Sequence, residues 1–551
     1  MLSASNLIGR VRIRSDSRDR TSLKIRCEAV FRAVDLTPAT MPPQAILCIR
    51  SLNDPLPGTI DLHSSHITQP AAWEYAARDS VTAAYRRAAR HAHCSVPSSA
   101  DAVLFADHAE LLACAARDAC NGLLNAWWWK HIIPSFSFDR VVAEWKKEPL
   151  YVPAAVDLLC ASGDAISFIG RIERKAAIEL TALILRAHHA EAAARAVADL
   201  FTGGTPRSER PQARASEFFP AARSWRRTIM PELEHAPLTV EQRIFATTAL
   251  ILRRKPHIAA APSIAGKIAE WLSNTMVADD TIVQPEVPHN DTTPERTLQQ
   301  PVPSALPVEK ESGSVVGRRA QRVRPRSSHG FVLLKSQSSD QQHAPDRSDE
   351  MSSVVAPVSP QRDQATTEYD AISVIPKTQA RPPLHPVPHL FEAAIDSDHA
   401  GIFFLLNAAI ALGYYGDAFR QPESPLELSP WDFLAIASRA ISAEIEDDAL
   451  WDLLAQLANR EEPLRSDFVP PEELNFDERL RAMREHLSLA LAIESADAFL
   501  IRRRGSILIT PAHIDISFPL LSHSIEIRMA GLDRDPGWIP AAGRYVTFHF
   551  D

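Results

Sequence analysis

From about Val277 to Pro388 the chain loses all hydrophobic periodicity and fills with Pro, Ser, Gln, Asp and Thr, as in QPEVPHNDTTPERTLQQPVPSALPVEKESGSVVG and SSDQQHAPDRSDEMSSVVAPVSPQRDQATTE. So few apolar side chains bury too little area to offset backbone ordering, which costs about 1–2 kcal/mol per residue. A disordered tether is therefore expected over residues 277–388. It leaves a β-strand region at 1–70 and a helical lobe at 71–276, and beyond it an α+β lobe at 389–551 that ends in a small antiparallel sheet. The expected fold class is α+β, predominantly α-helical. Most of the 42 prolines' excess falls in the tether, so it marks a segment and not a fold type.

Within the lobes the periods differ. Val11 and Ile13 alternate with Arg12 and Arg14, and Leu23, Ile25 and Cys27 alternate with Lys24 and Arg26, which reads as strands with one wet face. Ala45–Ile49 reads as a further strand. From Ala71 to about Ser273 alanine-rich helical stripes take over, at Ala102–Asn121, Ala154–Cys160, Ala176–Phe201 and Val240–Arg254. Breakers at Pro134, Pro153, Gly203-Gly204-Thr205-Pro206 and Pro256 separate them.

In the second lobe Phe391–Tyr415 is apolar nearly all round, as a central buried helix would be. Ser429-Pro430-Trp431-Asp432 has the chemistry of a helix start: a hydroxyl cap, proline at the first position and a carboxylate that can reach back. Helices are also expected at Asp447–Asn459 and Phe476–Ile493, and strands at Ser506–Thr510, Ile514–Phe518, Ser524–Met529 and Tyr545–Phe550.

The formal net charge of −9 provides no overall field for nucleic acid. Six cysteines, all in the first third and none in a CxxC pair, read as reduced thiols. The first twenty residues lack an apolar signal core, and the longest apolar run, Ile402–Leu412, is about half the length needed to cross a bilayer. A cytoplasmic protein with no membrane contact is the expectation.

Several clusters invite a chemical reading. His91, His93 and Cys94 could join Cys114 or Cys120 around zinc, but the spacing fits no usual zinc pattern, and buried cysteines are commoner. Trp127-Trp128-Trp129 could grip a partner; on a helix three consecutive rings cannot share a face, so one of them, with Trp128 as the candidate, should reach the surface.

The loop Gly531-Leu532-Asp533-Arg534-Asp535-Pro536-Gly537-Trp538-Ile539-Pro540 pairs two carboxylates with an aromatic on a Pro-flanked turn. His513, Asp515, His523 and His549 lie on neighbouring predicted strands, so an acid–base site is conceivable, but a recognition loop presenting Trp538 fits better. In the tether, Gly317–Arg326 holds five arginines in nine residues, and Gly330–Lys335 forms an apolar island that could add a strand to a sheet edge. No phosphate-cradling Gly-rich loop, HExxH, nucleophile elbow or dinucleotide fingerprint is present, and 18 glycines leave little material for such loops.

The strings GIFFLLNAAIALGYYGDAF, LSPWDFLAIASRAI and IEIRMAGLDRDPGWIPAAGRYVTFHF, with DAVLFADHAELLA and WWWKHIIP, resemble bacterial proteins encoded beside extracellular contractile injection systems, the phage-tail-like machines. The resemblance covers both lobes and not the tether. It implies a role in assembling, loading or regulating such a particle, and it brings no functional residues with it.

The expected function is thus a non-enzymatic scaffold whose two lobes bind protein partners while the tether sets their effective concentration. Asp533, Arg534, Asp535, Trp538, Trp128, Phe331 and Leu333 are the residues expected to meet a partner. No catalytic set, metal or cofactor is expected. The alternatives are a hydrolase using Asp533, Asp535 and His513, and a regulator whose arginine-rich tether touches nucleic acid.

Overall fold

The computed structural model describes residues 7–8, 11, 20–57, 71–92, 95–130, 132–133, 137–201, 236–260, 332–335, 394–442, 449–465, 468–492, 496–522 and 524–550. The expected tether lies outside these residues except at 332–335, as do His93, Cys94, His523 and the arginine run at 317–326.

The chain opens with β1 (Leu7–Ile8), α1 (Arg20–Ala33), β2 (Ile46–Ile49), α2 (Ala71–Arg86), β3 (Ala89–Arg90) and β4 (Ala102–Phe105). Helices α3 (His108–Asn121), α4 (Phe138–Lys147), α5 (Val152–Ser162), α6 (Ala165–Ile169), α7 (Arg174–Ala187), α8 (Glu191–Phe201) and α9 (Val240–Arg254) follow. Beyond β5 (Val332–Lys335) come β6 (Ile395–Ser397), α10 (Phe404–Ala411), α11 (Pro430–Ile441), α12 (Ala449–Leu457), α13 (Phe476–Leu491) and α14 (Ala496–Ile501). The chain closes with β7 (Gly505–Ile509), β8 (His513–Phe518), α15 (Ile525–Met529), β9 (Gly537–Ile539) and β10 (Arg544–Phe550). The fold is α+β and mostly helical.

The first sheet has the order β1-β5-β2-β4-β3, antiparallel apart from the β3–β4 pair. Neither face of its centre is wet, contrary to the alternation argument. Ile46, Cys48, Val103 and Phe105 join the core of the helices, while Leu47, Ile49, Ala102 and Leu104 pack with Val30, Trp73 and Val81. The segment carrying Ile25 and Cys27 is helix and not strand. Cys27, Val30 and Val34 recur at helical spacing and are buried, whereas Ile25 is 61% exposed. A three- or four-residue period therefore outweighed a brief two-residue one.

Ala102–Asn121 divides into β4 and α3 because Asp107 takes an extended backbone and its Oδ1 accepts from the Glu110 N–H at 3.0 Å, capping α3. Ala176–Phe201 divides into α7 and α8 near His189, whose φ is +59°. The predicted helix at Val240–Arg254 is α9, started by a capping box between Thr239 and Gln242.

In the second lobe the long helix expected at Phe391–Tyr415 is β6, a 3₁₀ turn at Ala400–Phe403 and the shorter α10. A Cβ at Gly401 would lie 2.0 Å from the Leu500 carbonyl oxygen, so the turn is pressed onto α14 by backbone contact. The expected burial of this stretch holds, since Ile402 to Leu406 are all buried. α11 starts at Pro430 with the Ser429 hydroxyl accepting from Trp431 N–H, two residues on and not three. Asp432 turns instead to Arg460, at 2.8 and 3.1 Å.

The second sheet, ordered β6-β7-β8-β10-β9, is mixed and not antiparallel, because β10 runs parallel to β8. Residues 519–543 supply the crossover a parallel neighbour needs, with α15 inside it. Ser524–Met529, expected as a strand, is therefore helical from Ile525: the Ser524 hydroxyl caps it, and only Ile527 of its apolar residues is buried.

The two lobes dock through polar and aromatic contacts. Asp107, fully buried, accepts from the Thr510 hydroxyl (2.8 Å) and the Ala512 N–H (2.6 Å) with the same Oδ2. Ala512 belongs to the core of the first lobe. The His513 ring stacks on Tyr545 with centroids 4.8 Å apart, and both rings stack on Tyr151. Gly543, at φ +59°, lets the chain turn into β10 where a Cβ would be 3.2 Å from the Leu252 carbonyl and the Pro256 ring.

Replacing Asp107 by Ala removes the α3 cap and strands a buried hydroxyl and a buried N–H. It is expected to cost about 4 kcal/mol in urea unfolding, while the exposed Glu485→Gln change elsewhere in the second lobe costs under about 1 kcal/mol. Equal losses would mean that the bridge between the lobes contributes little.

Candidate functional site

The structure buries two of the predicted partner residues, Trp128 and Trp538, and leaves Arg534 and Asp535 exposed. Trp127, Trp128 and Trp129 form a 3₁₀ turn and are all buried, so the expected outward ring is absent. The tighter turn sends the rings to different neighbours. Trp127 Nε1 donates to the Ala100 carbonyl and Trp129 Nε1 to Asp118, while Trp128 packs edge-on to His91. Trp538 is also buried, at 2% exposure, and is not presented to solvent: its Nε1 donates to the Ala187 carbonyl (3.1 Å) and its ring meets His188 edge-on. Burial pushes His188 down to about 4.

In the same loop Asp535 accepts from the Phe548 N–H at 2.7 Å, fastening the turn to β10, and Arg534 stays exposed. Asp533 is half-buried. Of the predicted hydrolase trio, His513 is taken up in the stack between the lobes and Asp535 closes the loop onto β10. From that group the structure does bring Asp515 and His549 together, at 3.2 Å on the paired strands β8 and β10. Leu333 lies in β5, opposite Cys48 and Leu7 within the chain's own sheet, while Phe331 lies outside the described residues. Of the suggested zinc ligands, His91 is committed to Asp118 (2.9 Å) and Arg117 (2.6 Å). Arg117 can only donate, so His91 Nδ1 accepts and Nε2–H donates to the carboxylate. Among the described residues no group of three or more His, Cys, Asp or Glu is placed to hold a metal ion.

A cavity of about 280 Å³ lies between the lobes, and sequence reasoning did not find it. Its walls come from β3, α3, α5 and α9 on one side and α12, β7 and β10 on the other. Arg90, Arg117, Arg253 and Arg544 line it together with Glu110 and Asp157, and the rest of the lining is largely alanine and leucine. Arg90 Nη2 reaches Glu110 Oε2 at 3.3 Å, and Arg253 Nε lies 3.6 Å from Asp157 Oδ2. Arg544 Nη1 donates to the Thr510 and Pro511 carbonyls, at 2.7 and 3.1 Å. Glu110 Oε1 is buried without a hydrogen-bond partner. Burial pushes the Glu110 carboxyl up to about 7, against the opposing pull of Arg90. The only sequence signal was Glu110 on an otherwise apolar stripe of α3.

A second feature faces outward. Leu520, Leu521, Ile525 and Met529 are 61%, 101%, 70% and 81% exposed, forming an apolar ridge on α15 and the 3₁₀ turn before it. Ile525 and Met529 are one helical turn apart and share a face.

No family model, curated protein or solved structure matches this chain.

A buried carboxyl raised from its usual 4.5 to about 7 favours the folded state in its protonated form. That contribution is complete below pH 4.5 and is lost as pH rises through 7, a change of about 3 kcal/mol. The stability of the natural protein relative to its Glu110→Gln variant is therefore expected to fall by about that amount between pH 4.5 and 8, read from urea unfolding. A flat difference would show that Glu110 ionises as it does in water.

Proposed function

We propose that the chain is a non-catalytic assembly or accessory protein that binds a protein partner through the apolar ridge of Leu520, Leu521, Ile525 and Met529. The ridge is the observation that carries the reading. Four large apolar side chains within ten residues stand in solvent, although the same lobe buries every apolar residue from Ile402 to Leu406. A lone exposed leucine needs no explanation, but four large exposed apolar side chains within ten residues are how proteins mark an interaction site. The likeness of both lobes to proteins encoded beside contractile injection systems supplies the setting: a phage-tail-like particle built in the bacterial cytoplasm, with one of its components as the partner. Among the described residues no helix is long and apolar enough to cross a membrane.

The docked lobes alter the scaffold idea. A partner meets one face of a joined body, and Trp538 and Trp128 are left to hold that body together.

Affinity capture of the tagged protein from cells producing such a particle, with mass spectrometry of the captured proteins, tests the reading. Particle components are expected with the natural chain and should fall at least tenfold with Leu521→Asp plus Ile525→Asp. These exposed changes should leave unfolding within about 0.5 kcal/mol of the natural protein. Equal capture by both proteins would overturn the assignment of the ridge. A dimer that dissociates in the variant would reassign the ridge to self-association.

A further inference from the structure

We propose that the cavity between the lobes binds a small organic carboxylate, its head held by Arg253 and Arg544 and its apolar body lying against Leu158 and Leu457. The charge balance of the walls carries this. Four guanidinium groups line the space against two carboxylates, and both carboxylates are already engaged, Glu110 by Arg90 and Asp157 by Arg253 and Arg254. The buried Asp107 carboxylate also acts on Arg253 and Arg544, so one positive charge is left over among low-dielectric walls. Arg544 and Arg253 are close enough for their charges to oppose one another. An anion between two like charges relieves that repulsion, and the planar guanidinium fork matches a carboxylate.

The buried Glu110 supplies a second, independent observation. Among the described residues its Oε1 has no hydrogen-bond partner, and on a residue that is 3% exposed it lies behind the cavity wall as an unused polar atom. With its pKa near 7 this carboxyl is in part the neutral acid, which leaves the arginines of the wall less offset. The remaining lining excludes a heavily charged ligand. Alanine and leucine side chains dominate it, and about 280 Å³ is near the lower end of small-molecule pockets. A short aliphatic acid meets both demands. Because the arginines and leucines come from both lobes, the bound acid would also strengthen their docking.

Hexanoate, its uncharged counterpart hexanamide and inorganic phosphate are the probes, each titrated into the full chain by calorimetry and by thermal unfolding. Hexanoate is expected to bind one per chain and raise the unfolding midpoint, with hexanamide and phosphate each at least tenfold weaker. Arg544→Met should reduce hexanoate affinity at least tenfold. If that variant does not fold, Leu457→Trp, which narrows the cavity without changing its charge, should do the same. No saturable binding of hexanoate, equal binding of hexanamide, or phosphate binding as tightly as hexanoate would overturn the proposal. Undiminished binding to Leu457→Trp would place the site elsewhere and would also overturn it.

Discussion

One buried carboxylate does two jobs on which the arrangement of the molecule depends. Asp107 starts α3 with one oxygen and grips the β7–β8 turn of the other lobe with its second, through Thr510 and Ala512. A carboxylate without exposure is tolerated only where donors surround it, and here three converge on it. The positive ends of Arg253 and Arg544 lie near enough to act on the same charge. Cap, docking and cavity are therefore linked. The cap sets the direction of α3, α3 carries Glu110 into the cavity, and the turn that Asp107 holds carries the carbonyls that position Arg544.

That linkage has a pH signature with two opposed sides. His188, pushed down to about 4 by burial beside Trp538, adds stability that is complete above 6.5 and is lost as pH falls through 4. Glu110 acts in the opposite direction at higher pH. Both groups lie where the lobes meet and their windows overlap, so the two effects largely cancel between pH 4.5 and 6.5 and stability falls on either side of that range. Neither effect shows in net charge, since both arise from desolvation.

How much of this was legible in the residues depends on the range of the interaction. A helix start with local chemistry, such as Ser429-Pro430, was readable because cap and helix lie within four residues. Short alternations misled twice, each time toward a strand. Leu23–Cys27 and Ile525–Met529 alternate over five residues, too few to distinguish a strand from one helical turn, and the tertiary environment chose the helix. The candidate site was less legible still. Trp538 was expected on the surface, but it is buried and its partner carbonyl is 351 positions away. Exposure of an aromatic cannot be read from the residues beside it when a distant element covers it. The cavity is built from seven elements and has no local motif at all.

The docked arrangement also changes what a long connection between the lobes has to achieve. Two independent bodies would need a tether to bring their partners together. Two docked bodies need only a link that does not pull them apart, and the entropy of closing such a loop grows slowly, by about 0.6 kcal/mol for each doubling of length. Covalent linkage raises the effective concentration of one lobe near the other to the millimolar range, so an interface too modest to hold separate chains suffices within one. This explains how a few polar contacts and a three-ring stack can join the lobes while an apolar ridge on the second lobe stays uncovered. An interface that needed all the apolar surface of both lobes would have consumed the ridge; one assisted by linkage leaves it available to a partner.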